Sequence, residues 1–276
     1  MDTMKRLIKI ARLLIGTAWM LSPTLSAHGA DAPNPEEVLA EAISKRVNVD
    51  AAVWLESATG PFLALHEPVR SADSFGAVII LPSLNEQPDT HGVVHHMRTV
   101  LPNFGWHTLA IQLPILADTS HTINDYGKNE AAITNRIDAA IKYLSSKGIN
   151  NFALVGKGVG AAAGANYLDT HANTAVKAFV GISMENFSGT NNWLNTPVTL
   201  NKLTLPILDI IGSQDNDAVI TSHKSRTRLA QQSSRNENVI YRQFTMIGAD
   251  NDYRGASDQV TRRVAGWLKH NNSGDN

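Results

Sequence analysis

Cysteine is absent from the 276 residues. That excludes a disulfide framework, a thiolate nucleophile, a zinc ribbon, a cysteine-ligated cluster and the lipidated cysteine of a bacterial lipoprotein. Charged residues are scarce at 18%, against roughly 25% in an average soluble chain. Aromatic residues, at 6%, are too few for a base-stacking surface. A net charge of -1 leaves no cationic footprint for nucleic acid. The 43% of hydrophobic residues excludes intrinsic disorder, which combines low hydrophobicity with high net charge. Beyond the first thirty residues no apolar run approaches the ~20 residues needed to cross a bilayer.

What is present begins with an address. Lys5, Arg6, Lys9 and Arg12 precede a short apolar run, Leu13 to Leu21, which Pro23 breaks. Small residues follow in Ala27-His28-Gly29. This is the order of a secretory signal. We expect residues 1–29 to be removed, with cleavage after Ala27 or Ala30 as neighbouring choices, leaving residues 30–276 as one domain. An uncleaved anchor helix is the alternative, but the run is short for it. Four positive charges and one negative leave with residues 1–29, so the net charge moves from -1 to -4. The expected location is the periplasm of a Gram-negative cell, or outside it. The expected partner is an envelope protein or a small ligand.

The remainder alternates. Asn34-Pro35 reads as a helix start, with Val38, Leu39 and Ala42 as its apolar side. Ala51 to Leu55 and Phe62 to Leu65 flank Thr59-Gly60-Pro61 as a hairpin. Ala77 to Leu81, Thr108 to Leu113, Phe152 to Val155, Val176 to Ile182, Pro206 to Ile211 and Val239 to Phe244 read as strands. The helices between them are marked by Val93, Val94, Met97, Val100 and Leu101, by Ile133, Ile137, Ile141 and Leu144, and by a segment from Ser222 to Gln231. Val260, Val264, Trp267 and Leu268 mark the closing helix. Such alternation builds an α/β fold, a mainly parallel sheet with helices on both faces and an antiparallel hairpin near the N-terminus. Met184 to Lys202 is too short for a large lid.

The strand Phe152 to Val155 runs into Gly156-Lys157-Gly158-Val159-Gly160 and an Ala-rich helix. This stretch and the strand–helix order resemble the α/β-hydrolase superfamily, over nearly the whole chain after residue 29. In that fold a Gly-x-Ser-x-Gly elbow carries the nucleophile. Here Gly158 stands at the serine position. The resemblance places the triad acid at Asp215, with Asp217 the near alternative, and the histidine at Asn251, where an amide cannot relay a proton. His270, on the closing helix, is a poor substitute. Backbone N–H groups of Val159 and of Ser83 or Leu84 form the expected oxyanion notch. Leu101 to Pro114, which contains Gly-Trp-His-Thr-Leu-Ala-Ile-Gln-Leu-Pro, further resembles a family of secreted α/β-hydrolase-like proteins of Gram-negative bacteria whose activity is not established. The combined reading is a hydrolase fold with a degenerate triad that serves for binding or scaffolding, without cofactor or metal.

Other readings compete. A relocated nucleophile at Ser83 or Ser183, served by His95 or His96, makes the chain a serine hydrolase of esters or peptides. Gly156-x-Gly158-x-x-Ala161, followed by Glu185, is a variant dinucleotide fingerprint. Its mid-sheet position and the expected export both count against it. His91 and His95 share a helix face at i, i+4 but lack the carboxylate of a zinc-protease helix, and read as solvated surface residues. Lys157 is a crevice candidate that could bind an anion or, if buried, act as a base; the preferred reading is an exposed elbow lysine. Trp54, Trp106 and Trp193 line a cleft or, more commonly, fill the core. Glu185 and Asp215 fit either relic acids sharing the crevice or structural or solvated carboxylates.

Overall fold

The computed structural model describes residues 34–116, 123–171, 175–187, 192–237 and 240–272; the expected signal segment lies outside them. The first element is α1 (Pro35–Arg46), capped by the Asn34 side chain, which accepts from the Glu36 N–H at 3.0 Å. Glu36 and Glu37 in the first turn and Lys45 and Arg46 in the last suit the helix dipole. Its buried face is Ala40 and Ile43, not the expected stripe: Val38 and Ala42 are exposed. The helix turns this face to Leu63 and Leu65 on the hairpin, which supply its apolar cover.

The hairpin pairs β1 (Ala52–Ser57) with β2 (Gly60–Glu67), Ser57 opposite Gly60. Then come β3 (Gly76–Leu81), α2 (Val93–Val100), β4 (Trp106–Ile111), the short α3 (Ile123–Tyr126) and α4 (Glu130–Ser146). They are followed by β5 (Phe152–Lys157), α5 (Val159–Thr170), β6 (Val176–Ile182) and α6 (Thr196–Leu200). The chain ends in β7 (Ile207–Gly212), α7 (Asp217–Glu237), β8 (Tyr241–Met246) and α8 (Ser257–Asn272). The sheet order is β1-β2-β4-β3-β5-β6-β7-β8. β1, β2 and β4 pair antiparallel in sequence, and the strands from β4 through β3 to β8 pair parallel.

Every residue of β3, β5 and β7 is buried, as expected where helices cover both faces of a sheet. Alternation divides each strand between two cores. Ala77, Ile79 and Leu81 face α4 and α5, while Val78 and Ile80 face α2 and α8. Truncating Ile79 to alanine would cost about 2–5 kcal/mol on the usual scale for such sites. α7 starts five residues earlier than its apolar pattern suggests, because Asn216 caps it, accepting from the Val219 N–H at 3.0 Å. Between β6 and β7 the described residues hold a short 3-10 turn and α6, and no large lid is found among them. Among the described residues no helix is long and apolar enough to cross a membrane.

Candidate functional site

The site lies where the C-terminal ends of β3, β5, β6 and β7 meet the loops that follow them. β5 turns into α5 through Gly158, whose φ of 53° and ψ of -120° favour glycine. The flanking glycines are fixed by close approach. A Cβ on Gly156 would lie 2.6 Å from Ala161 N, and one on Gly160 would strike the carbonyl oxygens of Leu81 and Pro82. The tight strand-to-helix turn thus depends on glycine at 156, 158 and 160.

The space a side chain at 158 would use is filled. A Cβ there would collide with Ser83 Oγ and come within 3.0 Å of Ser83 Cβ. Ser83 Oγ accepts from the Val159 N–H at 3.3 Å, so the expected oxyanion donor is engaged. Leu84 packs against the apolar core. The Ser83 N–H donates to Glu86 Oε2 at 2.8 Å, and Glu86 Oε1 takes the ammonium of Lys157. Asp252 Oδ1 lies 3.7 Å from the same ammonium. Lys157 is thus buried, contrary to the exposed lysine expected at the elbow. Glu86 and Asp252 come from the loops after β3 and β8, and the Glu86 carboxylate compensates the buried charge.

Asp215 is buried and its lone pairs are taken. Oδ2 lies 2.5 Å from Ser183 Oγ and accepts from the Gly212 N–H at 3.0 Å; Oδ1 accepts from the Asn216 N–H at 3.0 Å. Tyr253 Oη stands 3.0 Å from Ser183 Oγ and 3.3 Å from the Ile210 carbonyl. Burial drives the Tyr253 phenol far above its ordinary range, so it stays a neutral hydrogen-bonding group. Ser183 and Tyr253 both hold positive φ, at 47° and 54°. Two non-glycine residues in that region mark a locally strained arrangement held by its surroundings. Beside it Glu185 accepts from Asn216 Nδ2 at 2.8 Å, and burial raises its carboxyl. Asp217 sits in the first turn of α7.

The histidines stand elsewhere. Asn251 is exposed, and the side chain of its loop that reaches Asp215 is Tyr253. His95 is not simply solvated: its Nδ1 lies 2.8 Å from Asp89 Oδ1, which Arg98 also holds at 2.5 Å. His96 Nε2 lies 3.5 Å from Asp258 on α8. Among the described residues no hydrogen bond joins Ser83 or Ser183 to a histidine, and no group of three or more His, Asp or Glu side chains converges to hold a metal. At the glycine fingerprint Ser83 Oγ lies against Gly158 and accepts from the Val159 N–H at the α5 N-terminus. Trp106 and Trp193 are buried in the two cores and Trp54 is exposed, so the three tryptophans do not line one cleft.

Sequence reading missed Glu86, Asp252 and Tyr253, none of which stands out in its own segment. It also missed the fully buried pair of Asp209 on β7 with Arg226 on α7, at 2.9 Å. A signal for that pair existed: an aspartate inside an otherwise apolar strand demands a partner.

Solved structures share this architecture. Est1E from Butyrivibrio proteoclasticus matches with a TM-score of 0.60 at 13% identity, covering 80% of this chain and 98% of its own. Dienelactone hydrolase from Anabaena variabilis gives 0.62 at 16%, covering 80% and 97%. The α/β serine hydrolase without lid XC6422 from Xanthomonas campestris gives 0.55 at 13%, covering 82% and 96%. At such identities the likeness shows the α/β-hydrolase fold alone. No curated protein matches the chain. The family model described as protein of unknown function (DUF3530) matches residues 22–125 and 116–270, and the chain belongs to that family.

Proposed function

We propose that this protein is a non-catalytic pseudohydrolase of the cell envelope, exported by residues 1–29, whose crevice serves as a binding or scaffolding surface. The observation that carries the reading is Ser83. Its hydroxyl fills the place of the nucleophile's side chain and takes the Val159 N–H that would otherwise polarise a substrate carbonyl. Asp215 supports it, being engaged by Ser183 and two backbone amides with no imidazole to orient. Beside the Lys157 bridge a hollow of about 450 Å³ is lined by Arg46, Asp89, His91, Asp252 and Arg254. Charges of both signs there suit a polar or zwitterionic ligand, or a polar protein surface.

The second reading, a relocated serine nucleophile, is favoured by one fact: Ser83 Oγ sits at the N-terminus of α5, where a nucleophile belongs. Against it, the nearby amine of Lys157 is held by Glu86 and Asp252 and makes no hydrogen bond to Ser83 among the described residues. Treatment with a fluorophosphonate and intact-mass detection separates the two. The pseudohydrolase keeps its mass while a control hydrolase is labelled. An adduct that disappears in Ser83→Ala or Ser183→Ala would establish the relocated nucleophile instead. Export is checked by cell fractionation, which should find the chain in the periplasm at the mass expected after loss of residues 1–29. A cytoplasmic, uncleaved chain would refute that part.

A further inference from the structure

α8 lies beside the outermost strand β8 and leaves a groove of about 640 Å³ between them, a volume typical of small-molecule sites. Arg242 and Phe244 project from one face of β8, and Leu208 of β7 sits in register with Arg242. These three form the floor. Arg263, Gly266 and Trp267 of α8 are part of the wall. The groove shares no residue with the crevice over Gly158.

Its charge is of one sign. Arg242, Arg262, Arg263 and His270 line it, and no carboxylate does. Elsewhere arginines are spent on ion pairs: Arg98 with Glu67 and Asp89, Arg136 with Glu36, Arg226 with Asp209, Arg254 with Asp252. In the groove Arg262 pairs with Asp258, but among the described residues neither Arg242 nor Arg263 has a carboxylate within ion-pair distance. Arg263 is nevertheless held in place, its guanidinium 3.9 Å over the Phe244 ring. Arg242 and the ring-stacked Arg263 thus line the groove together with the apolar side chains of Leu208, Phe244 and Trp267, in a chain whose net charge is -1. Gly266 keeps the space open, since a Cβ there meets nothing within 4 Å.

We infer that this groove binds a small amphipathic organic anion. Its apolar body lies against Leu208, Phe244 and the Trp267 ring, and its carboxylate, sulfonate or phosphate lies between Arg242 and Arg263, where charge-assisted hydrogen bonds are strongest. An amphipathic sulfonate, 8-anilinonaphthalene-1-sulfonate, is the probe, titrated into the purified protein by calorimetry with tryptophan fluorescence as a second readout. Its uncharged relative N-phenyl-1-naphthylamine isolates the part due to charge. The expected result is saturable binding of one sulfonate per chain. The neutral probe and the Arg242→Gln/Arg263→Gln variant should each bind at least about tenfold more weakly. Gly266→Leu should bind at least about tenfold more weakly while melting no lower than the unmodified protein, since leucine favours the helix and fills only open space. A lack of saturable binding, or equal affinity in the unmodified protein and both variants, would overturn the inference.

Discussion

Lys157 in the crevice and Arg263 in the groove are both cations at the margin of the same sheet. Lys157 is closed in by Glu86 and Asp252, whereas Arg263 lies over an aromatic ring with no carboxylate within ion-pair distance among the described residues. The glycines beside them differ in the same way. Gly160 touches the backbone of β3 and the residue after it, while Gly266 faces open space. The comparison separates a site that has been filled from within from a surface left open. In the crevice, where the fold would hold its catalytic groups, the chain's own serine, carboxylates and tyrosine satisfy one another. In the groove, charge and apolar area remain available.

The largest effect that sharpens this contrast comes from the glycines. Gly160→Ala drives a methyl group into two backbone carbonyls, and should cost about 3 kcal/mol or more, or prevent folding. Gly266→Ala, the same chemical change, should stabilise by roughly 0.5–1 kcal/mol through helix propensity. Urea denaturation of the two variants gives both numbers, and similar losses in each would break the contrast.

The cations come next. Lys157→Met strands the Glu86 carboxylate against a buried surface and should cost roughly 3 kcal/mol. Arg263→Gln loses a partly solvated ring contact and should cost under about 1 kcal/mol. Thermal melts at neutral pH decide between these values, and a costly Arg263→Gln would mean that the groove is a structural feature.

A half-buried titratable group extends the comparison. His66 on β2 stacks on His107, with its Nδ1 3.3 Å from Tyr143 Oη and its Nε2 buried without a partner among the described residues. Burial, with the nearby charges of His107 and Lys147, lowers its pKa to about 4. Unfolded histidine titrates near 6.5. Between these values the unfolded chain binds the proton and the native chain does not, so stability should fall as pH drops from about 6.5 towards 4. With solvent screening the loss should be about 2 kcal/mol or less. His66→Gln should remove most of that slope in melts taken from pH 7 to pH 4. An unchanged slope would assign the pH dependence to other groups.

The architecture was legible because it is written in local patterns. Continuous apolar runs marked β3, β5 and β7, and the spacing of Gly156, Gly158 and Gly160 marked the elbow. The content of the site was not legible, because it rests on contacts between distant segments. Ser83 meets Gly158 across 75 positions, and Tyr253 meets Ser183 across 70. The positive φ of Ser183 has no signature in its neighbours. Lys157 looked exposed because the residues that cover it, Glu86 and Asp252, come from two other loops. The face of α1 was misread for the same reason: the hairpin residues Leu63 and Leu65 decide which side is buried.

The claim at the centre is that Ser83 occupies the nucleophile's place, and a double-mutant cycle tests it most directly. Gly158→Ala should destabilise the protein both through its positive φ and through the collision with Ser83 Oγ. In a Ser83→Ala background the collision with the hydroxyl is gone while the backbone strain remains. Urea denaturation should therefore show Gly158→Ala costing about 1 kcal/mol less in that background. Equal costs, within about 0.3 kcal/mol, would mean that the two residues do not share that space and would contradict the filled elbow.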